Sequence, residues 1–269
     1  MIRFSVITIV RNDPVGVIRT LQSVFSQSYK NFEVIVQDGA STDETSDVLR
    51  GFGDWIDSLV IEKDGGIYDA MNRALRRATG DYLIFMNAAD LFVDGHVLEK
   101  VATMIDPEND DIFAGQALSD ETGKVHTYRP PHLFWLGSTI DHQAAFIRTT
   151  LMKQLEYDQS YKIAGDLHFF TRARQGGANI RHERIFVARK PFSVGVSSDF
   201  TDRVNDRLSM LEEAWGDKHP VRQTITKEVA ADLRKTFAIS EDYFPEQPIQ
   251  DMLRLRGEWM RLLDAGKSL

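Results

Sequence analysis

Four aspartates stand where an apolar run gives way to a turn or where a helix begins. Asp38 closes the run FEVIVQ, Asp64 precedes Gly65-Gly66, Asp90 follows YLIFMNAA, and Asp166 opens a helix in IAGDLHFF. Carboxylates at strand ends can hold a ribose, a base edge, or a hard cation such as Mg²⁺ or Mn²⁺. Each acid taken singly also fits a turn or a helix cap, and Gly65-Gly66 is equally a tight turn or a place for backbone to approach a phosphate. Three acids at the carboxyl ends of one sheet are harder to assign to capping alone, because open α/β sheets build their ligand crevice at that edge.

The elements that must carry these acids follow from hydrophobic period. Ile67, Ala70, Met71, Ala74, Leu75 and Ala78 recur at helical spacing, so a helix with one buried stripe is predicted over 66–79. Residues 82–87 then read as a fully buried strand. Before them come a strand at Phe4–Val10 and a helix marked by Val17, Ile18, Leu21, Val24 and Phe25. A strand at 32–37 follows, then a helix opened by the capping pattern Ser41-Thr42-Asp43-Glu44, and a short strand at 58–62. Strands interleaved with helices at this spacing predict an α/β fold whose mixed, mostly parallel sheet is flanked by helices. Binding is then expected around residues 9–12, 38, 64 and 87–90.

Residues 110–200 are less regular, with strands expected near 111–115, 144–148 and 185–188 and a helix over 164–176. From about residue 201 the pattern is helical, at 202–215, 222–237 and 249–264. The expected division is therefore a catalytic domain over 1–200 and a helical C-terminal extension over 201–269. The last helix carries Met252, Leu255, Trp259, Leu262 and Leu263 on one stripe. Packing on the catalytic domain or a homodimer contact is its plainer reading, because Asp251, Glu258 and Asp264 dilute the positive face a peripheral membrane contact would use.

Composition excludes several classes. The 269 residues carry a net charge of −8, which argues against a nucleic-acid backbone as partner. With no cysteine, disulfides, thiolate catalysis and cysteine-ligated zinc drop out, which fits a cytoplasmic chain. No apolar run approaches the ~18 residues that suggest a membrane span. The opening MIRFSVITIVRND reads as a buried first strand, not a signal peptide. No G-x-G-x-x-G follows that strand, so a dinucleotide oxidoreductase is a distant alternative.

In order, SVITIVRND, SVFSQSYKNFEVIVQDGASTDET, DGGIYDAMNRAL and ATGDYLIFMNAADLF resemble the family 2 glycosyltransferases with the GT-A fold, nearest to the branch in bacterial surface-polysaccharide synthesis. The resemblance covers about residues 3–200. It implies transfer of a sugar from a nucleotide donor, usually UDP-linked, to an acceptor hydroxyl of a glycan or lipid-linked glycan, with inversion. Carried over by segment, Ile9, Arg11 and Asp38 would line the nucleoside and Asp64 would read the uracil edge. Gly66, Asp69, Asn72 and Arg73 would lie on the donor side of the following helix. Asn87, Ala88 and Asp90 match the DxD region, with Asp90 as metal ligand for Mn²⁺ or Mg²⁺. His142 and Gln143 resemble an HQ pair near the donor sugar or acceptor, and Asp166 matches the catalytic base.

Two departures stand out. NAAD leaves Asp90 as the sole carboxylate in the DxD segment, and Gly65 stands where relatives often carry a cation. A single carboxylate with diphosphate oxygens can still hold Mg²⁺ or Mn²⁺. The loss of acidity also keeps open a catalytically silent nucleotide-sugar-binding subunit.

Overall fold

The computed structural model describes residues 1–119, 123 and 140–191. The three helices expected after 201 lie outside the described residues. Eight strands form one sheet. In chain order they are β1 (Phe4–Val10), β2 (Phe32–Asp38), β3 (Ser58–Ile61), β4 (Tyr82–Phe85), β5 (Leu91–Phe92), β6 (Ile112–Ser119), β7 (Ala145–Arg148) and β8 (Ile180–Lys190). Across the sheet the order is β3-β2-β1-β4-β7-β6-β8-β5. The β1–β2, β1–β4, β2–β3 and β6–β8 pairs are parallel, while β4–β7, β6–β7 and β5–β8 are antiparallel. The sheet is mixed and mostly parallel, as the alternating pattern predicts.

The helices are α1 (Pro14–Phe25), α2 (Thr45–Gly51), α3 (Ile67–Arg77), α4 (Val97–Met104), α5 (Thr149–Leu155) and α6 (Gly165–Gln175). Alternate residues of the parallel strands serve the two faces of the sheet. Phe4, Val6, Val10, Val34, Val36, Ile84 and Met86 share one core with Val17, Leu21 and Val24 of α1 and Val97, Leu98 and Val101 of α4. The intervening Ile7, Ile35, Leu83 and Phe85 are also fully buried, on the face where α3 packs against β1 and β2. Burial on both faces explains why these strands read as continuous apolar runs.

Three details differ from the sequence reading. The Ser41-Thr42-Asp43-Glu44 capping box does not form: α2 begins at Thr45, whose amide donates to Asp43 Oδ1 at 3.0 Å, and the side chain of Glu44 makes no cap bond. Ser41 turns instead toward β2. The strand expected at 185–188 is longer, because β8 follows β6 in parallel through two register shifts. β5 and α5 carry too few residues for a period to show.

Candidate active site

The carboxyl edge of β1, β2 and β4 is built from loops in an unusual conformation. Asn12, Ala40 and Ala89, each just past the end of one of these strands, have φ of 54°, 56° and 73°. For a residue with a Cβ the left-handed region costs about 1–2 kcal/mol, so tertiary contacts must hold it. Two of those contacts are cross-loop hydrogen bonds. The Asn12 amide donates to Ser41 Oγ at 2.8 Å, and the Thr42 amide donates to Asn12 Oδ1 at 2.8 Å.

Asp38 ties this lattice together from beneath. It is fully buried, accepting from the Ser41 amide (3.0 Å) and Ser41 Oγ (2.6 Å) on Oδ1 and from Ser46 Oγ (2.5 Å) on Oδ2. Asp64 comes in from the end of β3. Its Oδ2 would lie 2.6 Å from a Cβ placed on Gly39, and the Arg11 Cδ would lie 3.4 Å from the same point. Arg11, Gly39 and Asp64 therefore converge, although their strands are separated by tens of residues. Ile9 is buried beside them, and its carbonyl accepts from the Ala88 amide at 3.1 Å, joining the β1 and β4 ends.

The glycine turn before α3 is held by carboxylates. Asp64 Oδ1 accepts from the Gly66 amide at 3.0 Å and Asp69 Oδ2 from the Gly65 amide at 2.8 Å. Gly66 has φ of 129°, a conformation L side chains rarely adopt. Arg73 pairs with Asp69 at 2.9 Å and with Glu62 at 2.9 Å. The Gly65 and Gly66 amides thus already donate to acids of their own turn, which favours the tight-turn reading of this glycine pair. Asn72, expected on the donor side, is corrected. It is buried, and its amide spans the Tyr157 backbone, donating to the carbonyl at 2.7 Å and accepting from the N–H at 2.9 Å. It is a fold residue that locks α3 to the segment before α6.

At the end of β4 the chain turns tightly, with the Asn87 amide donating to Asp90 Oδ2 at 3.1 Å and the Asp90 amide donating to the Asn87 carbonyl at 2.9 Å. Asp90 is only 4% exposed, and burial pushes its carboxyl up to about 7. His142, Lys190, the Asn87 amide and the Gln143 side chain pull it back down. All four therefore surround it. Lys190, at the end of β8, is also ion-paired to Asp141.

Antiparallel pairing brings the second half of the site in. With Tyr82 opposite Arg148 and Leu83 opposite Ile147, the start of β7 runs back toward the end of β4. The one-turn 3₁₀ helix His142–Ala144 precedes β7 there. His142 Nε2 lies 3.3 Å from Asn87 Nδ2, and its Nδ1 lies 3.3 Å from Asp166 Oδ2. Asp166 stands in the first turn of α6, where its Oδ1 accepts from the Leu167 amide at 2.7 Å. Under it, Gly165 lets the helix approach the Tyr68 ring, which a Cβ would meet at 2.7 Å. Burial raises the phenols of Tyr68 and Tyr157 well above their ordinary value, and the Asp166 charge adds to both shifts.

Lys190 and Asn72's partner Tyr157 had no signal in the sequence, because each acts through a partner distant in the chain, while Ser41 carried a capping signal and holds Asp38 instead. Among the described residues no group of three or more His, Cys, Asp or Glu side chains forms a metal cluster. No described helix is long and apolar enough to cross a membrane.

The profile of the family described as "Glycosyl transferase family 2" matches residues 5–175, and the chain belongs to that family. A "PGL/p-HBAD biosynthesis glycosyltransferase" of Mycobacterium bovis is 31% identical over 194 residues, covering 68% of this chain and 74% of the relative. A "putative teichuronic acid biosynthesis glycosyltransferase" of Bacillus subtilis is 30% identical over 107 residues, covering 39% and 42%. Among solved structures, TarS of S. aureus superposes with a TM-score of 0.66 at 20% identity, over 91% of this chain and 47% of that one. This chain thus spans about half the length of that protein. The 1–349 fragment of TarS in complex with UDP-GlcNAc gives a TM-score of 0.65 at 19% identity, over 91% and 78%. A mannosyltransferase of Pyrobaculum calidifontis in complex with GDP-Man and Mn²⁺ gives 0.63 at 18% identity, over 97% and 81%. The fold is GT-A, and the activity class is glycosyl transfer.

Proposed function

We propose that this chain is an inverting glycosyltransferase that takes its sugar from a UDP-linked donor and delivers it to a hydroxyl of a bacterial surface glycan or its lipid-linked precursor. The observation that carries the reading is the placement of Asp166 across from the Asn87–Asp90 turn. Inversion needs a base on one face of the sugar and charge neutralisation at the leaving diphosphate on the other. Asp166, anchored on α6, accepts the proton of the acceptor hydroxyl as the new bond to the anomeric carbon forms. Arg11, Asp64 and Ile9 line the nucleoside, and Asp38 acts indirectly by holding the Ser41 loop. Asp69 and Arg73 act on the donor side by fixing the Gly65-Gly66 turn. The UDP and UDP-GlcNAc complexes of TarS support a UDP donor, and the relatives' names support a surface glycan as product.

Family 2 implies a divalent cation, and Asn87 provides a test of fit. Among the described residues its Oδ1 is buried without a hydrogen-bond partner, and its backbone amide donates to the carboxylate of Asp90. An amide oxygen and a carboxylate are hard donors suited to Mg²⁺ or Mn²⁺ when phosphate oxygens complete the shell. They fit, and a cation there would neutralise the leaving diphosphate. The Mn²⁺ of the Pyrobaculum enzyme supports the same choice.

A thermal-shift series with UDP-, GDP- and dTDP-sugars, with and without Mn²⁺, tests the donor, and Asp166→Asn tests the base. The expected result is stabilisation by a UDP-sugar and loss of turnover with donor binding retained. Stabilisation by a donor, with no turnover on any acceptor, would establish the silent binding subunit instead.

A further inference from the structure

His142 was expected to touch the donor sugar or acceptor, yet both of its ring nitrogens are already engaged. Nδ1 faces Asp166 Oδ2 and Nε2 faces Asn87 Nδ2, each at 3.3 Å, and the imidazole is only 15% exposed. A neutral imidazole has one N–H and one lone pair in its plane, so two partners exhaust it. The ring therefore bridges the Asn87 amide and the Asp166 carboxylate through its two nitrogens.

We propose that His142 is a positioning residue for transfer: through Nδ1 it fixes the rotamer of Asp166, and Asn87 holds the ring in place at Nε2. The proposal rests on the reading of Asp166 as the base. The histidine keeps its own proton throughout, and the acceptor's proton goes to the carboxylate. Among the described residues Asp166 Oδ1 accepts from the adjacent Leu167 amide, a local contact that leaves His142 to set the direction of the carboxylate. The chain Asp90–Asn87–His142–Asp166 also joins the two halves of the site.

Two substitutions separate positioning from sugar contact, because the side-chain nitrogen of asparagine overlays imidazole Nδ1 and that of glutamine overlays Nε2. UDP release from the UDP-sugar that most stabilises the wild type is measured with water as acceptor, alongside UDP affinity. His142→Asn is expected to keep most of the rate. His142→Gln is expected to lose about 10²-fold in kcat, the effect of a misplaced catalytic group, with KM and UDP affinity unchanged. A His142→Gln rate equal to wild type, with Asp166→Asn inactive, overturns the proposal and leaves the base assignment standing. If Asp166→Asn turns over normally, the base assignment itself fails. Equal losses in both His142 variants with a raised KM make His142 a sugar contact and also overturn the proposal.

Discussion

Gly39 and Asp64 occupy one another's space: a methyl group on the glycine would lie 2.6 Å from the carboxylate oxygen. The Arg11 side chain passes the same point, so this contact marks where three strand ends meet. Gly39→Ala should therefore displace Asp64 without straining the backbone. The expected outcome is about tenfold weaker UDP binding, as for loss of one charged hydrogen bond, with little change in melting temperature. Calorimetric titration with UDP checks this. Unchanged affinity would remove Asp64 from the nucleoside site.

Asp166→Asn should keep the fold and the donor site, because the amide oxygen can still accept from Leu167. Removal of a general base typically lowers the rate 10²–10⁴-fold. Steady-state transfer and UDP affinity measured on the same preparation would check it, and a loss in affinity equal to the loss in rate would refute the assignment.

The buried carboxyl of Asp90 gives a pH dependence whose sign is fixed. Its folded-state pKa, about 7, lies above the ordinary 3.8, so the protonated form favours the folded state. That contribution is complete below about pH 4 and is lost as pH rises through 7, at up to about 1.4 kcal/mol per unit. Asp90→Asn lacks the titration. The variant should melt above the wild type at pH 8 and close to it at about pH 4 in the absence of ligands, while losing stabilisation by donor with Mn²⁺. Melting curves that differ by the same amount at both pH values would contradict the burial effect.

Asn72→Ala separates fold from function in the opposite direction. It strands the Tyr157 N–H and carbonyl in the interior, and unsatisfied buried groups cost about 1–3 kcal/mol each. Chemical denaturation should show a loss of about 2–6 kcal/mol for the two groups together, with UDP affinity of the folded protein unchanged.

Much of the fold was legible because its signals are local. The apolar stripe of α3 and the doubly buried β1, β2 and β4 follow from periods that a short window contains. The acids at strand ends were legible for the same reason, since an open sheet presents its carboxyl edge. Asn72 was not. It sits next to Met71 on the rim of the stripe, and nothing nearby says that Tyr157, 85 residues on, will supply both hydrogen bonds. The Gly65-Gly66 pair stayed open between two readings because Asp64 and Asp69 were weighed as ligand groups, not as acceptors for their own turn. Lys190 was invisible as a site residue, because its place beside Asp90 depends on β8 pairing with β6 and β5 across the sheet.

The antiparallel seam between β4 and β7 makes catalytic competence a matter of strand alignment. A slip of one residue along that seam would move the His142 turn by about 3.3 Å. Such a displacement is as large as the gap it bridges to Asp166. The same slip would turn the fully buried Phe146 and Ile147 to the opposite faces of the sheet. The burial of β7 therefore keeps the His142 turn in line with Asp166.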